Sequence, residues 1–212
     1  MLQVKHVNKY IDQRHILNDI SFDMTQQCLL ICGESGCGKS TLARIITGLD
    51  DEYTGQIYFE DKLKEQTPLK TWMQHIQYVP QYQKDTLDGR KTVQYTLMEP
   101  LKNYNFEKSS YQTRIDSVLE RCLLPKDILK QRVETLSGGQ FQRLWIAKAL
   151  LVEPKVLILD EATTNLDVIN EELIIEMLKS LKDTQLIIIS HDSYVLNYFD
   201  GQMLNLNNYS HE

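Results

Sequence analysis

The segment from Gly33 to Thr41 has the residue types and spacing needed to bind a phosphate chain. It reads GESGCGKST and matches the pattern GxxxxGK[ST] in full. Glycines let consecutive backbone N–H groups turn toward phosphate oxygens without a Cβ clash. Lys39 is expected to reach the β- and γ-phosphates, and the Ser40 hydroxyl to complete a Mg²⁺ shell. The predicted nucleotide-binding residues of this loop are Gly33, Glu34, Ser35, Gly36, Cys37, Gly38, Lys39, Ser40 and Thr41.

A pair of acids and one histidine have the chemistry to complete such a site. Asp160 and Glu161 follow the apolar run VLIL at 156–159, and His191 follows the run at 186–190. Ligand sites in open α/β sheets lie at the carboxyl ends of strands. Asp160 is therefore expected to hold Mg²⁺, directly or through water, and Glu161 to polarise the attacking water. The alternatives are two solvated acids and an exposed histidine, but the shared sheet edge favours a γ-phosphate contact for His191.

The elements that must position these residues alternate between strand and helix at both ends of the chain. Strands are predicted over 3–7, 20–24, 29–32, 55–60, 76–79, 156–159, 186–189 and 202–206. Helices are predicted over 39–47, closed by Gly48, and over 168–181 as a crossover. The middle carries helical spacing over 92–100, 111–122 and 139–151, without strand signals. The sequence thus predicts one α/β domain, with a core of 1–81 and 153–212 and an inserted helical subdomain over 82–152.

Length and composition exclude several classes of protein. The 212 residues carry a net charge of −6, and no apolar run reaches the roughly 18 residues of a membrane span. The first residues alternate like a strand and lack the apolar core of a signal peptide, so we expect a cytosolic chain. The acidic balance argues against nucleic acid as a partner. The four cysteines lack zinc-ligand spacing. They are Cys28, Cys32, Cys37 and Cys122.

A second glycine-containing segment stands just before the helix predicted over 139–151. It comprises Leu136, Ser137, Gly138, Gly139 and Gln140. Ser137 and two glycines at a helix start form an anion site in their own right. One small domain has little use for two distant phosphate sites unless they face different nucleotides.

This LSGGQ pentapeptide is the signature of the ABC ATPases, and the chain resembles that family over nearly its whole length. The motif order also matches: Tyr10, the phosphate loop, Gln81, the signature, Asp160–Glu161, Asp167 and His191. The resemblance implies an α/β phosphate-loop NTPase fold of the RecA-like type. Its mostly parallel sheet would carry an N-terminal antiparallel β subdomain and an inserted helical subdomain.

The resemblance also implies roles for individual residues. Two such domains pack head to tail, and each signature closes over the ATP held by the partner. Ser137, Gly139 and Gln140 would then grip the γ-phosphate across the dimer. Tyr10 would stack on adenine, Gln81 would contact Mg²⁺ and the water, and Asp167 would connect the two sites. The alternatives are an edge-strand aromatic for Tyr10 and a plain loop glutamine for Gln81.

One subgroup of the family is favoured. The segments YVPQ at 78–81, DTLD at 85–88, KTV at 91–93 and MEPL at 98–101 resemble the ATPases of dipeptide, oligopeptide and nickel importers. Three features depart from that pattern. Ala162 replaces the usual proline after the glutamate, 164–167 reads TNLD, and the sequence ends at Glu212 without the C-terminal extension usual there.

The predicted function is that of an ATP- and Mg²⁺-dependent ATPase subunit of an importer of peptides or nickel chelates. Its expected partners are transmembrane permease subunits, a second ABC ATPase and, indirectly, a solute-binding protein. We favour a heterodimer over a homodimer, placed peripherally on the inner face of the cell membrane. An exporter ATPase is the first alternative, favoured by Ala162. A soluble ABC ATPase without a membrane partner, for example in iron–sulfur assembly, is the alternative of another class.

Overall fold

A computed structural model describes residues 1–81, 86–164 and 166–209. Its strands are β1 Leu2–Ile11, β2 Arg14–Asp23, β3 Cys28–Cys32, β4 Thr54–Phe59, β5 Lys62–Leu63, β6 Ile76–Val79, β7 Val156–Asp160, β8 Gln185–Ile189 and β9 Gln202–Asn205. Its α-helices are α1 Lys39–Thr47, α2 Leu69–His75, α3 Val93–Asn103, α4 Tyr111–Arg121, α5 Gly138–Leu150, α6 Val168–Lys179 and α7 Ser193–Asn197. Within these described ranges, no helix is both long enough and apolar enough to cross a membrane.

The first sheet is antiparallel, with strand order β2-β1-β4-β5. The strands predicted over 3–7 and 20–24 proved too short, because β1 and β2 continue to pair until Ile11 faces Arg14. Irregular register explains the error. His6 has φ 52°, and the pairing shifts between Val4 and Val7, which breaks the simple alternation a strand shows in sequence.

The second sheet is parallel and positions the site. Its order is β6-β7-β8-β3-β9, with every neighbouring pair parallel. All five residues of β7 are buried, as expected for a strand covered on both faces. The carboxyl ends of its strands lie at one edge. The phosphate loop follows β3, Gln81 follows β6, Asp160 ends β7 and His191 follows β8.

Alternate residues of the parallel sheet contribute to two separate cores. Leu157 and Leu159 pack with the helices of the middle of the chain, whereas Val156 and Ile158 pack with α1 and the first sheet. The predicted fold class is confirmed: an α/β phosphate-loop NTPase fold with an antiparallel sheet, a parallel sheet and inserted helices.

The helices agree with prediction except at particular ends. The helix predicted over 39–47 and the strand predicted over 76–79 have those bounds. The helix predicted to end at Pro100 continues to Asn103, because buried Leu97 and Leu101 hold it against the core although Pro100 lacks an N–H. The sequence analysis missed α2, in which the indole Nε1 of the buried Trp72 donates to the Ile46 carbonyl at 2.8 Å.

Candidate active site

The phosphate loop is shaped by its packing against β2. Gly38 precedes α1 with φ 99°, a left-handed conformation that favours glycine. A Cβ at this position would lie 2.7 Å from Leu17 Cδ2 and 3.0 Å from the Ile16 carbonyl oxygen, so an added side chain would require these groups of β2 to shift. Lys39 is buried, and its Nζ donates to the carbonyls of Gly33 at 2.8 Å and Glu34 at 2.7 Å. The ammonium group therefore lies inside the curve of the loop.

A cavity of about 350 Å³ opens beside this loop. It is lined by Ile11, Ile16, Ser35, Gly36, Gly38, Lys39, Ser40, Thr41, Arg44, Gln81 and Glu161. The Ser40 hydroxyl and the Gln81 amide supply oxygen ligands of the kind Mg²⁺ takes alongside phosphate. The cavity thus combines the cationic phosphate loop with oxygen ligands for a metal ion and with one carboxylate. This set of groups fits a nucleoside triphosphate together with Mg²⁺.

Glu161 lies at the centre of a small polar cluster. His191 Nδ1 is 3.0 Å from its Oε1, while Gln81 Nε2 at 3.2 Å and Thr164 Oγ1 at 3.4 Å donate to its Oε2. The backbone of Glu161 has φ 49° and its N–H donates to the Ile189 carbonyl at 2.9 Å. Left-handed backbone in a residue other than glycine is strained and clusters at functional sites. The structure therefore brings together the three residues predicted to act in hydrolysis, and adds Thr164.

Asp160 is buried at the end of β7, with 2% of its surface exposed. Its Oδ2 accepts a hydrogen bond of 2.8 Å from the Tyr78 hydroxyl. Burial, together with the charge of Asp160, raises the pKa of Tyr78 far above its ordinary value, so this hydroxyl remains a donor. Asp160 is not one of the described residues that line the phosphate cavity.

Tyr10 lies on the surface of the β1–β2 hairpin, 60% exposed. Its ring stacks on that of His15, its cross-strand partner, with centroids 4.1 Å apart and an angle of 7° between the planes. Tyr10 itself is not among the described residues lining the cavity, but its neighbours Ile11 and Ile16 are. The sequence analysis missed His15, Ile11 and Ile16. The cross-strand pairing identifies His15 as the partner of Tyr10, and the cavity lining identifies Ile11 and Ile16.

Asn207 contacts the phosphate loop from the far end of the chain. Its Oδ1 accepts a hydrogen bond of 2.8 Å from the Glu34 N–H, across 173 residues of sequence. Asn207 belongs to a short 3₁₀ turn, Leu206–Tyr209, that directly follows β9. No local motif marks this residue, and the sequence analysis missed it.

The signature segment begins α5 with a complete cap. Ser137 Oγ accepts from the Gln140 N–H at 3.3 Å, and Gln140 Oε1 accepts from the Ser137 N–H at 3.0 Å. Gly139 is in tight contact with α6, since a Cβ there would lie 2.1 Å from Asn170 Oδ1. Within the described part of the chain, none of the predicted signature residues, Leu136 to Gln140, lines the phosphate cavity.

Asp167 caps the start of α6 next to the signature. It accepts from the Asn170 N–H at 3.0 Å and from Asn170 Nδ2 at 2.7 Å, and these hydrogen bonds lower its pKa. The same Asn170 side chain packs over Gly139, so it links Asp167 to the signature helix. Residue 165 of the TNLD segment and residue 85 of the DTLD segment lie outside the described residues.

A groove of about 420 Å³ separates the core from the inserted helices. Its lining includes Thr47, Met73, Tyr78 and Pro80 from the core, and Tyr104 and Trp145 from the inserted helices. Trp145 Nε1 also donates to Thr86 Oγ1 at 2.9 Å, which ties α5 to the segment after Gln81. Helix α5 thus begins with the signature and contributes Trp145, about two turns further along, to the groove.

Comparison with known proteins gives one consistent result. The family model described as ABC transporter matches residues 17–164. The nickel import ATP-binding protein NikE of Escherichia coli (strain K12) is 35% identical over 201 residues, covering 91% of this chain and 75% of that protein. NikE of Shigella dysenteriae serotype 1 (strain Sd197) is also 35% identical with the same coverage.

Solved structures show the same similarity. The dimeric ABC transporter cassette MJ0796 has a TM-score of 0.84 and 25% identity, covering 97% of this chain and 95% of that one. CbiO1 from Clostridium perfringens, part of the ABC transporter complex cbiONQ, has a TM-score of 0.83 and 28% identity, covering 96% and 83%.

Proposed function

We propose that this chain, which belongs to the ABC transporter family and is an ATPase, is the ATP-hydrolysing subunit of a membrane importer. The observation that carries the proposal is the cavity in which Lys39, Ser40, Gln81 and Glu161 meet. The similarity to NikE, a nickel import ATP-binding protein, favours import of nickel or of a related chelate or peptide.

We propose that the phosphate loop binds ATP together with Mg²⁺. The loop N–H groups and Lys39 would hold the phosphates, and the aromatic platform of Tyr10 would face the adenine. Ser40, Gln81 and Asp160 would hold Mg²⁺, which offsets the charge of the phosphate oxygens when bound. Lys39 would exchange the carbonyls of Gly33 and Glu34 for phosphate oxygens.

Hydrolysis would depend on the cluster around Glu161. The Glu161 carboxylate would orient the attacking water and accept its proton, while His191 and Thr164 hold that carboxylate in place. Gln81 donates to the same carboxylate from the edge of the helical insertion. A movement of Gln81 would therefore alter both the orientation of the Glu161 carboxylate and the shape of the cavity.

The signature would act on the ATP of a second ATPase domain, and Asp167 would connect the two sites. The capped N-terminus of α5 has the geometry of an anion-binding site. None of its described residues, however, lines the phosphate cavity of the same chain. Beside it, Val168 and Ile169 expose 64% and 71% of their surfaces, as expected for a face that another domain covers. We favour a sister ATPase over a second copy as that domain, as in the importers the sequence resembles.

The groove would receive a segment of a permease subunit. It lies between Tyr78, which follows α2, and Trp145 of the signature helix, so a permease segment there would contact both halves of the domain. Closure of the ATPase pair would then move the permease, and a solute-binding protein would deliver cargo on the opposite side. This places the chain peripherally on the inner face of the cell membrane.

The test is affinity purification of the tagged full chain from detergent-solubilised native membranes, with its companions identified by mass spectrometry. We expect two permeases, a sister ATPase and a solute-binding protein. Recovery of a single permease type would indicate an exporter and contradict the importer proposal. Companions without any permease would overturn the transport function and leave the ATPase. Uptake of radiolabelled nickel, compared between wild type and Glu161→Gln, then tests the cargo.

A further inference from the structure

We propose that Tyr78 is a positioning residue that fixes the Asp160 carboxylate and links it to the groove. Its hydroxyl donates to Asp160 Oδ2 at 2.8 Å, and Asp160 is 2% exposed. Since a buried carboxylate oxygen without a donor is strongly disfavoured, this hydrogen bond determines which way the carboxylate is held. Tyr78 belongs to the YVPQ segment at 78–81, but the sequence analysis gave it no role in the ATPase site.

The same side chain lines the groove that separates the core from the inserted helices. Tyr78 lies on β6 beside Ile158 of β7, and its half-buried ring packs into the core beneath α1. The Tyr78 side chain therefore lines the groove and also hydrogen-bonds to Asp160 at the end of β7. A change in what fills the groove would move the hydroxyl relative to Asp160.

The inference rests on the proposed Mg²⁺ site, for which Asp160 is a ligand directly or through water. Hydrogen-bond donors to metal-binding carboxylates orient them, and their removal weakens metal binding by roughly 10–100-fold. Tyr78 would not touch the nucleotide. It would change the affinity for Mg²⁺ by orienting Asp160. A segment bound in the groove would change that affinity through the same hydrogen bond.

The test compares Tyr78→Phe with wild type in the full chain, using a fluorescent ATP analogue titrated with Mg²⁺ and with EDTA. We expect the gain in affinity that Mg²⁺ provides to fall by about tenfold, with the affinity in EDTA unchanged. Tyr53→Phe is the matched control. Tyr53 is also a half-buried tyrosine that donates to a carboxylate, Glu65, but it lies outside the site and should leave the Mg²⁺ gain intact.

A double-variant cycle separates positioning from general loss of structure. In an Asp160→Asn background, Tyr78→Phe should cause no further loss of the Mg²⁺ gain, because the two residues act through one contact. Additive losses would overturn the inference, as would an unchanged Mg²⁺ gain in Tyr78→Phe alone. Absence of any Mg²⁺ gain in the wild type would instead contradict the proposed Mg²⁺ site.

The link to the groove is tested with Trp145, which lines it. The chain has two tryptophans, so Trp72→Phe leaves Trp145 as the only indole reporter. We expect binding of Mg²⁺ with ATP to shift Trp145 emission, and Tyr78→Phe to remove the Mg²⁺-dependent part of that shift. A shift that persists in full in Tyr78→Phe would overturn the link.

Discussion

The phosphate loop and the signature segment are built alike but placed differently. Each is a glycine-containing turn at the start of a helix, with Gly38 before α1 and Ser137 before α5. The phosphate loop opens into a cavity with Gln81 and Glu161, whereas the signature, in the described chain, lines no part of that cavity. This difference is the basis of our proposal that the phosphate loop binds this chain's own nucleotide and that the signature acts on the nucleotide of another domain.

Glu161→Gln, which changes the acid of the phosphate cavity, should have the largest effect. We expect ATP hydrolysis to fall by about 10²–10⁴-fold while ATP binding is kept, because the amide cannot accept the proton of the water. Steady-state phosphate release and binding of a fluorescent ATP analogue measure the two. The exposed Glu120→Gln on α4 serves as control, and hydrolysis near the wild-type rate in Glu161→Gln would remove Glu161 from the mechanism.

Lys39→Ala tests the phosphate loop itself. Removal of a positioned cation from developing charge should lower hydrolysis by about 10²–10³-fold. Because Lys39 also holds the ground-state phosphates, ATP binding should weaken as well, unlike in Glu161→Gln. Isothermal titration with ATP distinguishes the two variants. Lys182→Ala, a change of an exposed lysine, should behave as wild type, and unimpaired ATP binding in Lys39→Ala would contradict the assignment.

Gly139→Ala tests the signature with an intermediate effect. The new Cβ would meet Asn170 and push α5 from α6, so hydrolysis should fall by about tenfold or more, as expected when a donor aimed at developing charge is displaced. ATP binding by the variant chain should stay within about twofold of wild type, a change of well under 1 kcal/mol. Nucleotide binding and phosphate release are measured on the membrane-purified complex. An equal loss of ATP binding and of hydrolysis would show that the signature contacts the nucleotide of its own chain, which would contradict the proposal.

Asn207→Ala should have the smallest effect. It removes one acceptor from the Glu34 N–H, a single exposed hydrogen bond of about 1 kcal/mol. ATP affinity should therefore weaken by about twofold to fivefold, with the hydrolysis rate at saturating ATP unchanged. Asn208→Ala, one residue further along the same turn, is the matched control. Equal results for the two variants would show that Asn207 does not position the loop.

The sequence predicted the local parts of this molecule well, for a physical reason. The phosphate loop, α1 and β6 are each defined by neighbours within a few residues, as glycine turns, caps and apolar runs are. The extent of the β1–β2 hairpin was wrong, because the left-handed residue His6 interrupts the alternation. Where local pattern decided the element, the prediction succeeded.

Long-range contacts had no signal of that kind. Tyr78 meets Asp160 across 82 residues, and Asn207 meets Glu34 across 173. Such contacts follow from sheet order and register, which the local pattern does not specify. The roles predicted for Glu161, His191 and Gln81 stay predictions. The structure does place the His191 and Gln81 side chains within hydrogen-bonding distance of the Glu161 carboxylate.

Ser137→Ala in this chain, measured in the complex purified from membranes, tests whether the signature acts on another domain's nucleotide. The readouts are photolabelling of this chain by an azido-ATP analogue and ATP hydrolysis by the complex. We expect full labelling of the chain with hydrolysis strongly reduced, because Ser137 would act on the nucleotide of the second ATPase domain. Labelling of this chain that falls in proportion to hydrolysis would show that both surfaces serve one nucleotide, and would contradict the account.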